Sequence, residues 1–281
     1  MVEEGAQRLS RNPLGTPLTS GNTRLKETRK LSRRSERSER RLFLADGPKA
    51  VEGALGAVSD SGVSCVVEVF ATPAATEQYA ALAAAAPVWT LVDERALASL
   101  SDSVSPAGVV ALCRFVDRPF AHLLDPAPRL VAICADVRDP GNAGTVIRSA
   151  DAAGADAVVM AGSSVDAYNP KTVRASVGSL FRLPLAVEPD PATAVRAAQA
   201  AGLVVLAADG AGDVDLFEAG DLLTQPTAWL FGNEAWGLPD ELAALADHRL
   251  AIPIHGRAES LNLSTAAALC LYASATAHRR S

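Results

Sequence analysis

The chain has 281 residues, a formal net charge of −6, 49% hydrophobic residues and only 5% aromatic ones, which suits one or two domains of helices packed on a mainly parallel sheet. The longest apolar stretch, residues 80–92, is interrupted by Pro87 and is too short to span a bilayer, and no basic segment followed by an apolar run opens the chain. Cys65, Cys113, Cys134 and Cys270 match neither a disulfide framework nor metal spacing, so the expectation is a cytoplasmic protein with reduced, buried thiols, no membrane and no metal.

The charge is unevenly placed. Residues 1–41 carry 11 Lys or Arg against 5 Glu, and the remainder carries 15 basic against 27 acidic residues. A basic arm on an acidic body points to a polyanionic partner touched at one end. Residues 1–21 are polar, with Pro13 and Pro17, and read as a disordered tail. Residues 22–41 read as one helix on which Lys26, Lys30, Arg33, Arg37 and Arg41 step by three or four and share a face. The plainer reading of that helix is a solvated charged face.

Next come a strand (42–45), a helix (48–57), a strand (65–71), an Ala-rich helix (76–85), a strand (88–92), a short helix (94–100) and a strand (108–115). This alternation predicts a small α/β domain over residues 22–116. Residues 117–128, with Pro119, Pro126 and Pro128, read as a linker. A second alternating series fills residues 129–281. Its strands are expected at 130–135, 157–161, 185–187, 203–208, 227–231 and 250–253. Its helices are expected at 142–153, 171–181, 192–201, 239–245 and 260–278.

Three loops in this second series carry chemistry. In the first, Asp139-Pro140-Gly141-Asn142-Ala143-Gly144 follows a strand and opens a helix. Exposed amides at a helix start favour an anion or a polar ligand edge. Asn142, Thr145 and Arg148 step by three, so one helix edge is expected to present an amide, a hydroxyl and a guanidinium. The order is neither a dinucleotide fingerprint nor a P-loop. In the second, Phe231-Gly232-Asn233-Glu234 places a carboxylate at the carboxyl end of a strand, where open α/β sheets bind ligands. Gly232 permits backbone approach. Trp236 follows, as a stacking platform or as a core or interface tryptophan. In the third, Ile252-Pro253-Ile254 leaves a strand, and Glu259-Ser260-Leu261-Asn262 enters a long Ala-rich helix. Ser260 and Asn262 are both natural helix-start residues. His255, beside Arg257, reads as a solvated loop histidine rather than a general base.

Taken together, the three loops resemble the SpoU (TrmH-like) family of RNA 2′-O-ribose methyltransferases, in the SPOUT superfamily. The resemblance extends through Asn169-Pro170-Lys171 and Arg174-Ala175-Ser176 to Phe181, and covers residues 130 to the C-terminus. The first series, with the turn at Phe43-Leu44-Ala45-Asp46-Gly47, looks like the RNA-binding domain often fused ahead of it. The resemblance implies an α/β parallel-sheet domain tied in a deep trefoil knot, a homodimer formed through that domain, and S-adenosyl-L-methionine as cofactor. It implies Asn142, Arg148, Glu234 and Asn262 as the catalytic group. It places the cofactor against Ala208, Asp209, Gly210, Gly232, Ile252, Ile254, Ser260 and Leu261. Lys171 and Arg174 either touch RNA phosphates or only start a helix, and the basic helix is expected to add phosphate contacts of its own. The implied substrate is RNA, with 23S ribosomal RNA ahead of transfer RNA; the alternative is a non-catalytic, knotted RNA-binding protein.

Overall fold

The computed structural model describes residues 15–59 and 62–280. The chain divides into two compact units, Met1–Phe115 and Val116–Ser281. The expected tail lies outside the described residues as far as residue 14. Beyond it the fold begins before residue 22, because the Leu18 amide donates to the Leu91 carbonyl at 2.9 Å and the Leu18 carbonyl accepts from the Asp93 amide at 3.0 Å.

In the first unit, the single basic helix expected over 22–41 is two short helices. α1 (Thr23–Arg29) and α2 (Arg34–Arg40) are separated by a 3₁₀ turn at Lys30–Ser32 and by Arg33 in an extended conformation (φ −89°, ψ 135°). The break turns Leu31 inward, where it joins Leu25, Phe70, Val92 and Leu97 in the core. Arg37 fastens the corner. It is only 2% exposed, and its Nη1 donates to the carbonyls of Leu31 and Ser32 at 2.9 and 2.8 Å. Then follow β1 (Leu42–Asp46), α3 (Pro48–Leu55), β2 (Val66–Ala71), α4 (Pro73–Gln78), α5 (Ala80–Ala85), β3 (Trp89–Leu91), α6 (Glu94–Ala98) and β4 (Val109–Arg114). The sheet order is β1-β4-β2-β3, with only β2 and β3 parallel. The Ala-rich helix is split at Tyr79 (φ −114°, ψ 43°).

The second unit opens on what the sequence reads as a linker, and that segment is packed rather than free. Tyr168 Oη accepts from the amides of Val116 and Asp117 at 2.9 and 2.7 Å and donates to the Asp117 carboxylate at 2.6 Å. α7 (Phe120–Leu123) follows, and Phe120 enters the core of this unit. The remaining elements are β5 (Leu130–Ala135), α8 (Pro140–Ala153), β6 (Ala157–Ala161), α9 (Pro170–Ala175), β7 (Leu185–Glu188), α10 (Pro191–Ala200), β8 (Val204–Ala208), β9 (Val214–Asp215), β10 (Thr227–Phe231), α11 (Asp240–Ala243), β11 (His248–Ala251) and α12 (Leu263–His278). α9 stops short of the expected 181, because Val177 (φ 50°) and Gly178 (φ 87°) leave the helical region.

The seven strands run in the order β7-β6-β5-β10-β8-β11-β9, and every pairing is parallel. β5, β6 and β10 are buried at every position, as strands covered by helices on both faces must be. On one face Val131, Ile133, Val159 and Leu230 pack with Val195 and Ala198 of α10. The alternation of side chains along β10 sends Trp229 to the other face, where its Nε1 donates to Ser274 Oγ of α12 at 2.9 Å and its ring stacks on Phe231. Truncating a buried aromatic of this kind costs ~3–5 kcal/mol. Gly144 serves this packing too. A Cβ there would lie 2.5 Å from the Thr172 carbonyl oxygen, so the glycine admits α9 against α8.

Candidate active site

β5, β10, β8 and β11 are consecutive neighbours and parallel, so their carboxyl ends share one edge of the sheet. The loops that leave that edge begin at residues 136, 232, 209 and 252. All three chemistry-bearing loops and the stretch from Ala208 to Gly210 therefore emerge side by side, at the place where open α/β sheets present ligand sites.

The first loop is shaped by α8. Asp139 caps the helix, its Oδ1 accepting from the Asn142 amide at 2.8 Å, and Pro140 occupies the first turn, where a missing N–H costs nothing. That amide bond is the main cause of a lowered Asp139 pKa, with Lys171 adding to it against the opposing effect of burial. Lys171 Nζ stands 3.4 Å from Asp139 Oδ2.

Glu234 joins the second loop to the first. Its carboxylate accepts from the amides of Arg138 and Asp139, each at 3.0 Å, and from Asn142 Nδ2 at 3.2 Å. Burial pushes the Glu234 carboxyl up, but hydrogen bonds from the Arg138, Glu234 and Asp139 amides and from Asn142 outweigh it and leave the pKa lowered. An ionised carboxylate only accepts, so it fixes the direction of everything beyond it. Asn142 must turn its NH₂ to Glu234, which leaves Asn142 Oδ1 to accept from Asn262 Nδ2 at 3.0 Å. Asn262 Oδ1 in turn accepts from the amide of Ser264 at 2.9 Å and from its hydroxyl at 2.6 Å. One polarised run thus links the three loops, and each asparagine amide keeps a second N–H for a ligand.

Three of the four expected catalytic residues meet in this run, and Arg148 does not. It lies exposed on α8 with no hydrogen bond or ion pair among the described residues. Nor does the expected edge of amide, hydroxyl and guanidinium form, because Thr145 Oγ1 turns back to donate to the Gly141 carbonyl at 2.8 Å. Among the expected cofactor residues, Ser260 precedes α12 rather than capping it, the cap being Asn262. The Asp209 carboxylate is engaged internally, accepting from Arg249 Nη2 at 2.6 Å and from the Ala211 amide at 2.9 Å. Gly232 is buried, and a Cβ there would collide with the backbone of Gly237 and Leu238, so its small size admits the chain's own turn. Residues 252–261 make no hydrogen bond or ion pair among the described residues, and Ile254 and Leu261 are partly exposed there.

One contributor escaped the sequence reading. Asp136 sits just past β5 with φ 55°, a strained conformation for a residue with a Cβ. Its carbonyl accepts from Asn233 Nδ2 at 2.7 Å, which ties the second loop to the first. The available signal was an aspartate or asparagine at a strand end, where a short polar side chain tolerates such geometry.

The basic residues of the first unit do not make one face. Arg37 is buried and bonded to carbonyls, as above, rather than exposed on the expected face. Arg41 lies 4.7 Å over the Phe115 ring. Lys30 pairs with Glu27 at 2.8 Å. Lys26 and Arg33 are exposed and unpaired among the described residues. Arg24, which the charge pattern left aside, pairs at 3.3 Å with Glu68, buried on β2. Arg174 is half-buried and Lys171 exposed. No three His, Cys, Asp or Glu side chains among the described residues are placed to hold a metal, and no helix there is long and apolar enough to cross a membrane. All four cysteines are buried thiols, and burial, with the Glu234 charge adding, pushes Cys134 up to about 12.

The chain is similar to known proteins over most of its length. The SpoU rRNA Methylase family profile matches residues 129–272, and the MRM3-like substrate binding domain profile matches residues 22–111. The chain is 31% identical over 254 residues to the 23S rRNA (guanosine(2553)-2′-O)-methyltransferase RlmP of Bacillus subtilis, covering 89% of this chain and 95% of that protein. It is 46% identical over 138 residues to the 23S rRNA (uridine(2479)-2′-O)-methyltransferase of Streptomyces viridochromogenes, a match spanning 47% of each. The AdoMet-bound rRNA methyltransferase of Sinorhizobium meliloti superposes with a TM-score of 0.78 at 34% identity, covering 92% of this chain and 97% of that one. The chain belongs to the SpoU rRNA methylase family.

Proposed function

We propose that the protein methylates a ribose 2′-hydroxyl in RNA, with 23S ribosomal RNA as the substrate and S-adenosyl-L-methionine as the methyl donor. The observation that carries this reading is the run from Glu234 through Asn142 to Asn262, which joins three loops at one edge of a parallel sheet. The relatives' activities support the substrate class, RlmP above all because the match spans nearly the whole of both chains.

The residues fit the cofactor. The segment 252–261 offers backbone donors and acceptors beside the apolar surface of Ile254 and Leu261, a combination suited to an adenine edge and ring. Gly210 has no heavy atom within 4 Å of its would-be Cβ, so the backbone of Ala208, Asp209 and Gly210 forms an open flank. Gly232, Ile252 and Ser260 complete the wall. When bound, the cofactor supplies an electrophilic methyl on a sulfonium.

Everything else falls to the chain. Asn142 and Asn262 orient the ribose through their remaining N–H groups, and Glu234 holds both amides in register. Positioning of this kind contributes up to ~7–11 kcal/mol to a displacement. A guanidinium keeps its proton at physiological pH, so Arg148 acts as a clamp on a phosphate or on the developing alkoxide. Lys171 and Arg174 contact phosphates near the first loop. In the first unit Lys26, Lys30, Arg33 and Arg41 remain as phosphate contacts, and Arg37 is withdrawn.

The closing chain is tied in a trefoil knot on this reading. β10 lies between β8 and β5, out of chain order, and Asn262 returns to Asn142. The protein is a homodimer through this unit. An apolar groove of about 640 Å³, lined by Leu216, Phe217, Leu269 and Tyr272 but by none of the motif residues, runs along α12. Phe217 is 62% exposed there, and a second copy covers it.

The test is transfer of a labelled methyl group from S-adenosylmethionine to unmodified 23S rRNA and to tRNA, with the product mapped by its resistance to alkaline cleavage. A ribose methyl supports the reading, and a methyl on a base overturns it. Arg148→Ala is expected to lose transfer by ~10²–10³-fold while cofactor affinity survives; full turnover would remove Arg148 from the mechanism.

A further inference from the structure

The second loop exposes a tryptophan that this mechanism does not use. Trp236 is 59% exposed, whereas Trp229 on the preceding strand is fully buried. An indole left in water forgoes the burial of ~150–250 Å².

The loop that carries it is braced. Asn233 and Gly237 exchange both backbone hydrogen bonds at 2.9 Å. Asn233 Oδ1 accepts from the Ala235 amide at 2.8 Å, and Asn233 Nδ2 reaches the Asp136 carbonyl at 2.7 Å. Gly237 closes the turn at φ 70°. The indole is therefore carried on a fixed turn, in the same loop as Glu234, which binds the first loop directly. The groove along α12 does not include it. Its loop neighbours are a carboxylate, an alanine and a glycine. An exposed π-face beside the carboxylate that joins the loops fits a nucleobase, and stacking is tolerant of base identity.

We propose that Trp236 stacks on a nucleobase of the RNA, at or beside the nucleotide being methylated, and so positions a single-stranded segment at the site. This inference rests on the RNA-methylation reading above. It makes Trp236 a substrate-positioning residue, distinct from the groups that orient the ribose.

Two measurements on the full chain test it. In a Trp89→Phe background Trp236 is the exposed indole, because Trp229 is buried. Acrylamide quenching of that indole is expected to fall when oligo(A) or unmodified 23S transcript is added, and to stay unchanged when protein concentration alone is raised. In methyl transfer, Trp236→Ala is expected to raise KM for the transcript by roughly tenfold, within the ~5–160-fold range of a lost base stack. kcat and S-adenosylmethionine affinity should change little, and Trp236→Phe should restore most of the loss where Trp236→Leu does not. Shielding by protein concentration without RNA overturns the inference in favour of a contact between copies. An unchanged KM in Trp236→Ala beside an active parent overturns it as well. A parent that transfers no methyl to rRNA or tRNA overturns the methylation reading itself, and the inference with it.

Discussion

The basic corner of the first unit and the loop edge of the second both announce themselves by residue type, but they hold up differently in three dimensions. At the loop edge, residues as far apart in sequence as Asn142 and Asn262 meet through their side chains. At the basic corner, residues three or four apart are scattered by one break in the helix. The difference lies in what each pattern constrains. A loop at the end of a buried parallel strand has its position set by the sheet. A charge repeat fixes a face only while the helix continues, and nothing in a run of arginines keeps it going.

The largest effect that could break this contrast is at Glu234. Glu234→Ala removes the acceptor that polarises both asparagines and is expected to lower transfer by ~10²-fold, the scale of a misplaced reacting group. Near-normal transfer in that variant would reduce the hydrogen-bonded run to scaffolding. Glu234→Gln sharpens the same point through pH. The folded-state pKa of Glu234 lies below its ordinary value of 4.5, so its contribution to stability is present above about that pH and is lost as pH falls through the folded value. The parent and Glu234→Gln should therefore differ in denaturation midpoint at neutral pH and converge in acid.

A smaller effect separates two arginines of the basic corner. Arg37→Ala strips the donor from two carbonyls and is expected to cost ~1–3 kcal/mol of stability in the first unit, read by urea denaturation. Arg33→Ala should leave stability alone and reduce the salt slope of RNA binding by about one. The reverse outcome would return Arg37 to the RNA-facing set.

Much of the second unit was legible in the sequence. The continuous apolar runs at 130–135 and 227–231 are doubly covered strands, and the loops after them are where ligands are met. Strand order was not legible, since no local signal places β10 between β5 and β8. Helix ends were misjudged where the backbone turns left-handed, as at Val177 and Gly178. Ser260 and Asn262 are both good caps by type, and it is Asn262 whose Oδ1 takes the Ser264 amide while its Nδ2 reaches Asn142. The function of the small residues was also hidden. Gly144 and Gly232 look like room for a ligand, and they are room for the chain itself.

The segment 252–261 has a consequence for local stability. Its amides are protected by no internal bond among the described residues, so opening it breaks none, and it belongs to the low end of the protein's stability range. In deuterated solvent these amides should exchange almost as fast as in a free peptide. A ligand that bonds to them would lower that rate in proportion to its occupancy, and exchange at this one stretch would then report binding while the buried strands beside it stay unchanged.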